Sequence, residues 1–192
     1  MAVLSRVPKG CLAWNQTLNI NPPWIPTRLT VPSINNAAPD GSLTASILHE
    51  DATAASDHFL SYTIANGYGN ILCLSAVAKA INRSWLMMQY SGFALSPYAC
   101  FNVTAGTIGV VSATIIARGI VSLGSGWYRC YASAVCPNNT STSPRFYIGE
   151  ADDDITFNGL NQDSLYIWRP QISFGYVPED IEQSLTTEVP RT

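Results

Sequence analysis

The sequence predicts an all-β protein, an antiparallel sandwich or barrel preceded by an extended proline-rich arm. Three observations lead there. Only 12% of the 192 residues are charged, about half the usual share for a soluble globular domain. That excludes coiled coils and most helical bundles, which need charged faces. The chain is 47% hydrophobic and 10% aromatic, so it has ample apolar surface for a core and is not disordered. From residue 43 onward, apolar runs of strand length alternate with turn formers at the spacing of an all-β domain.

The arm spans residues 1–38. Pro8, Pro22, Pro23, Pro26 and Pro32 fall within it and Pro39 follows it. Each removes a backbone donor, and neither a helix nor a central strand survives that density. Yet Trp14 and Trp24 lie in the same stretch, and a plain linker has no use for them. The expectation is a docking arm, laid on its own domain or on a neighbouring subunit.

The β-domain, residues 39–178, opens on the turn tripeptide Pro39-Asp40-Gly41. Strands are expected near 43–50, 59–65, 71–80, 84–91, 98–104, 111–118, 127–135, 145–149 and 164–173. Gly and Asn clusters such as Asn66-Gly67, Ala105-Gly106 and Gly124-Ser125-Gly126 separate them. The run ILCLSAVAKA is apolar on both faces, as a strand in the middle of a packed sheet should be. In WYRCYASAV, alternation puts Trp127, Arg129, Tyr131, Ser133 and Val135 on one face. Tyr128, Cys130, Ala132 and Ala134 take the other, small and suited to the interior. On the mixed face, Trp127 is expected to pack under Arg129 by burial and cation–π contact. Residues 179–192 carry four acidic side chains and few apolar ones, the pattern of a surface tail.

Several function classes drop out. Two lysines, eight arginines and a net charge of −3 build no basic stripe, so nucleic acid is not an expected partner. The longest apolar run, residues 71–80, is too short to span a membrane, and the first residues do not read as a signal peptide. Cys11, Cys73, Cys100, Cys130 and Cys136 are odd in number and sit mostly in apolar runs. They read as small buried hydrophobes, although Cys130 and Cys136 are near enough in sequence to pair.

Three segments in order carry a resemblance: NNAAPDGSLTASILHEDATAASDH followed by LCLSAVAKA, FNVTAGTIGVV leading into GSGWYRCYASA, and SLYIWRPQISFGYVPEDI. Together they resemble the jelly-roll module, similar to carbohydrate-binding modules, of tailed-bacteriophage virion proteins such as tail fibres, tailspikes and capsid decoration proteins. The matching positions are Pro39-Asp40-Gly41, Ala78-Lys79-Ala80, Gly126-Trp127-Tyr128-Arg129, and Trp168 with Gln171 and Gly175. Arg169-Pro170 stands where the pattern has Gly-Ala, and Tyr176-Val177-Pro178 replaces the usual exit. The resemblance covers about residues 15–180. It implies a jelly-roll β-sandwich and a place in the virion, assembled in the host cytoplasm.

Candidate sites follow from residue chemistry. His49 and His58 lie near Glu50, Asp51 and Asp57, but no nucleophile motif accompanies them, and the chain is not expected to be an enzyme. Asp152, Asp153 and Asp154 could offer oxygen ligands to a structural calcium, an expectation the resemblance strengthens; no other cofactor is implied. Trp85, Trp127, Arg129 and Tyr131 are the candidates for a glycan platform, since flat rings stack on sugars and neighbouring polar groups meet hydroxyls. The expected function is a capsid decoration (cement) protein on the major capsid protein, self-associating as a trimer. The alternatives are a tail-associated module that binds host surface polysaccharide among tail proteins and, more remotely, an accessory domain of a polysaccharide hydrolase.

Overall fold

The computed structural model describes residues 11–14, 24–32, 35–64, 69–93, 95–136 and 141–178; of residues 11–14 the backbone alone is described. Fifteen strands appear among them: β1 (Cys11–Trp14), β2 (Ile25–Thr27), β3 (Leu29–Thr30), β4 (Ser46–Glu50), β5 (Ser56–Asp57), β6 (Phe59–Ser61), β7 (Ile71–Ala80), β8 (Trp85–Ser91), β9 (Tyr98–Asn102), β10 (Thr107–Val111), β11 (Ala117–Gly124), β12 (Trp127–Val135), β13 (Ser143–Gly149), β14 (Thr156–Phe157) and β15 (Gln162–Phe174). Seven of them make one sheet, in the order β11-β12-β7-β15-β4-β3, with β1 paired to the far half of β15. Six make the other, in the order β10-β9-β8-β13-β6-β2, and β14 pairs with β5. All pairings are antiparallel. The chain passes repeatedly from one sheet to the other, winding an all-β jelly-roll sandwich.

Alternation along each strand sorts its residues between the core and the outer faces. Leu72, Leu74, Ala76 and Ala78 of β7 face Leu86, Met88 and Tyr90 of β8 in the central core, with Cys130, Ala132 and Ala134 of β12. The predicted inward and outward faces of residues 127–135 are the observed ones. β7 is the middle strand of the larger sheet, and Leu72 to Ala78 are buried on both faces. No disulfide joins Cys73, Cys100, Cys130 and Cys136, all of which are buried.

One expectation is corrected. Residues 111–118 do not form one strand: β10 ends at Val111, Ile115 N–H closes a turn onto Ser112 C=O at 3.1 Å, and β11 starts at Ala117. The apolar pair Ile115-Ile116 disguises that turn, because Ile115 plugs the core while Ile116 is exposed. The last part of the expected arm lies on its own domain. β2 pairs with β6 and β3 with β4, and Trp24 lies in the core against Phe146, ring centroids 5.0 Å apart. Of the two resting places expected for the arm, its own domain or a neighbouring subunit, Trp24 takes the first. The side chain of Trp14 and the tail 179–192 lie outside the described residues.

β15 stays in the middle of its sheet despite Pro170. Arg169 and Pro170 bulge opposite the single residue Ala76, between the pairs Trp168–Val77 and Gln171–Ser75, so the missing proline donor falls where the ladder is already interrupted. Arg169 takes φ 49° there, a left-handed conformation that favours glycine. Its side chain is held from both sides, 4.1 Å from the Trp168 ring centroid and 3.6 Å from Asp40 Oδ2.

The sheets are also joined through Tyr90. Its hydroxyl, fully buried, accepts from Leu74 N–H at 2.9 Å and reaches the carbonyls of Leu72 at 2.7 Å and Ala132 at 2.8 Å. Burial drives the phenol pKa well above its ordinary value, so it remains a donor. Tyr90→Phe keeps the ring and orphans these backbone groups, which should cost about 1–3 kcal/mol in urea unfolding. A change within about 0.5 kcal/mol, the range of an ordinary surface substitution, would mean that the hydroxyl does not couple the sheets.

Candidate functional site

The outer face of the six-stranded sheet combines rings with polar side chains. In WLMMQYS, Leu86, Met88 and Tyr90 point to the core, so Trp85, Met87 and Gln89 point outward. Strand register then builds two rows across the sheet. One runs Phe59, Tyr147, Met87, Cys100; the next runs Ser61, Arg145, Gln89, Tyr98. Arg145 is the centre of the arrangement. Its guanidinium carbon lies 4.5 Å from the Phe59 ring centroid, and its Nη1 donates to the Tyr147 hydroxyl at 2.8 Å. That hydroxyl donates onward to Gln89 Oε1 at 3.1 Å. Burial raises the Tyr147 pKa, partly offset by the hydrogen bond and charge of Arg145. Among the described residues, Arg145 Nε is buried with no hydrogen-bond partner. Phe59, Trp85, Gln89, Tyr98 and Arg145 are all half-buried, so they remain open to a ligand while their orientations are fixed.

The segment after β13 borders this face, and a buried ion network fixes it. Glu50, at the end of β4 and wholly inaccessible, accepts from Arg83 Nη2 at 2.7 Å and Nε at 3.0 Å. It also accepts from Ser164 Oγ at 2.8 Å, Leu160 N–H at 3.0 Å and Gln162 Nε2 at 3.2 Å. Arg83 Nη1 donates to Glu150 at 3.0 Å, and the guanidinium lies 4.3 Å from the Phe157 ring centroid. Burial pushes the Glu50 carboxyl up, but the hydrogen bonds and the Arg83 charge outweigh it and hold it below the usual carboxylate range. From Glu150 the chain turns so that Asp152 Oδ1 accepts Val110 N–H at 2.8 Å. Burial pushes the Cys100 thiol beneath up to about 12, with the Asp152 and Asp153 charges adding to the rise.

The three aspartates do not assemble as a ligand set. Asp152 is spent on the β10 backbone, Asp153 takes φ 60° in the turn, and Asp154 bridges back to Ala151. Among the described residues, no group of three or more His, Cys, Asp or Glu side chains is arranged to hold a metal. The two histidines serve separate loops: His49 Nδ1 lies 2.8 Å from Asp163, and His58 Nε2 lies 3.2 Å from Asp51.

The four residues named for a glycan platform are divided between the sheets. Trp85 joins the face just described. Trp127, Arg129 and Tyr131 lie on the outer face of the seven-stranded sheet, where Trp127 is 4% exposed among Ala38, Ala45, Val77 and Trp168. Lys79 stands beside its ring, with Nζ 6.0 Å from the centroid. Arg129 is itself buried, and burial together with the Arg169 charge lowers its pKa to about 10. The Tyr131 ring occupies the space over Gly119. Phe59, Tyr98 and Arg145 were missed by sequence reading, because only the pairing of β6, β13, β8 and β9 brings them together.

No protein-family model matches the chain, and no curated protein matches it in sequence. Among solved structures, it is similar to the enzymatically active domain of tailspike protein 4 from bacteriophage CBA120, with a TM-score of 0.44 and 12% identity. The likeness covers 84% of this chain and 19% of that one, so this chain spans about a fifth of its length.

Since Trp127 packs as a core side chain, Trp127→Ala should destabilise the protein by roughly 3–5 kcal/mol. Melting at the parent temperature would instead mark the ring as an exposed platform.

Proposed function

We propose that this chain is a non-enzymatic structural module of a tailed-bacteriophage virion, and that it binds a glycan on the outer face of its six-stranded sheet. The observation that carries the glycan reading is Arg145, stacked on Phe59 and tied through Tyr147 to Gln89, with Trp85 and Tyr98 on the same face. Flat rings offer stacking surfaces to the apolar faces of sugar rings. A guanidinium and a carboxamide, held rigid by their neighbours, meet hydroxyl or carboxylate groups with little ordering cost. The virion assignment rests on the ordered motifs of the resemblance. The preferred ligand is a host surface polysaccharide, which fits a tail-associated position.

A second reading, decoration of the capsid as a trimer, draws on a different feature. Ile108 and Val110 of β10 and Val121 and Leu123 of β11 are exposed on the edge strands of the two sheets. Apolar edges of this kind favour assembly. The copy number per virion separates the two readings, since decoration needs many copies and a tail position few.

Gln89→Ala and Tyr98→Ala should each weaken binding to purified host surface polysaccharide by about tenfold or more, roughly 1.4 kcal/mol, with little change in melting temperature. Retained binding by both variants would remove this face from the proposal.

A further inference from the structure

The centre of the ring-lined face directs its hydrogen bonds one way. Arg145 can donate and cannot accept, so the Tyr147 hydroxyl accepts from its Nη1 at 2.8 Å. That hydroxyl has one hydrogen, which goes to Gln89 Oε1 at 3.1 Å. The phenol keeps this hydrogen, because burial raises its pKa. Oriented through its oxygen, Gln89 turns its amide nitrogen, with two N–H donors, away from Tyr147. Arg145 keeps Nε, which is buried without a hydrogen-bond partner among the described residues. Arg145, Tyr147 and Gln89 thus use up their acceptors on one another and leave donors, a guanidinium on β13 and a carboxamide directly opposite on β8.

The charge at this centre is also unanswered. Among the described residues, the ion pairs involve Arg83, Arg169, His49 and His58, and none involves Arg145. The acids at the margins of the face are engaged elsewhere. Asp57 accepts from Thr156 Oγ1 at 3.2 Å, and Asp152 accepts from Val110 N–H at 2.8 Å. Asp153 lies at the far end of the row, where burial and then its carboxylate raise the Tyr98 phenol pKa. Positive charge therefore sits at the β13 end and negative charge at the β9 end. Gln89 stands between them, its strand about 4.8 Å from each neighbour.

A neutral sugar does not match this centre. Hydroxyls both donate and accept, so a site built for them offers acceptors as well as donors. A carboxylate only accepts, and a guanidinium beside a second N–H donor meets its two oxygens in charge-assisted bonds. We infer, on the strength of the glycan reading, that the unit bound on this face is an acidic sugar of the uronate class. Its carboxylate lies on Arg145 and Gln89, and its uncharged ring lies on Tyr98, away from the guanidinium. The opposed charges at the two ends of the row fix that orientation, since the reverse would set the carboxylate against Asp153.

The test compares binding of the full chain to purified host surface polysaccharide, native and after carbodiimide activation and borohydride reduction. That treatment turns each uronate carboxyl into a primary alcohol on the same backbone. The parent protein should bind the reduced polymer more weakly by about tenfold or more. Arg145→Gln should bind both polymers as weakly as the parent binds the reduced one. The comparison of the two polymers by the parent needs no variant, so it stands whatever Arg145→Gln does to folding. Equal parent binding to both polymers, with Gln89→Ala and Tyr98→Ala still weakened, would overturn the acidic sugar and leave the glycan site standing. A polymer whose charge is phosphate gives that same result, because the reduction leaves phosphate untouched. No binding to either polymer, or binding indifferent to Gln89→Ala and Tyr98→Ala, would overturn both.

Discussion

The bidentate pair between Arg83 and Glu50 is the constraint on which the rest of the structure depends. Glu50 ends a strand of the seven-stranded sheet, Arg83 sits in the connection that carries the chain from that sheet to the other, and Glu150 follows a strand of the six-stranded sheet. One guanidinium therefore ties both sheets and the 150–160 segment together. A charge this deep is tolerable only because every side of it is answered: five donor groups of Arg83, Ser164, Leu160 and Gln162 converge on the Glu50 carboxylate. Replacing such a network by apolar residues can be neutral, whereas removing one partner leaves an uncompensated buried charge. The network also fixes where residues 150–155 begin, and so which part of the six-stranded sheet stays open.

Much of the fold was legible because alternation and turn chemistry are local. Residues 71–80 and 127–135 were read with their observed boundaries, and the interior face of residues 127–135 follows from small residues at every second position. Pro39-Asp40-Gly41 turns as expected, with Gly41 at φ 81° and Asp40 accepting from Ser42. The sequence also departs from the resembled pattern at Arg169, and the structure gives that departure a physical meaning: a residue stands in a glycine conformation and is held by Trp168 and Asp40. Proline density describes the backbone and says nothing of where a side chain goes, so the choice between its own domain and a neighbouring subunit for Trp24 comes from the structure, which places the ring in its own core. Pro26 is tolerated in β2 because that strand is the edge of its sheet.

The candidate site was less legible, for a geometric reason. Phe59, Arg145, Gln89 and Tyr98 come from four strands separated by up to 86 positions, and their adjacency is a property of register. Sequence reading favoured Trp127, Arg129 and Tyr131 because they share one strand and one face. The face was right, but a buried outer face is a packing surface. The sandwich thus uses its two outer faces differently, one half-open with oriented rings and donors, the other closed over aromatics and arginines.

The central claim is that the buried Arg83–Glu50 pair holds the two sheets together, and the direct test is unfolding free energy as a function of pH for the parent and Glu50→Gln. A carboxyl whose folded pKa is depressed contributes stability that is fully present above its unfolded value, near 4.5, and is lost as pH falls through the folded value. The account predicts a gap of roughly 3–5 kcal/mol between the two proteins at pH 7, narrowing steadily below pH 4.5. A gap near zero at pH 7, or one that does not change with pH, would contradict it.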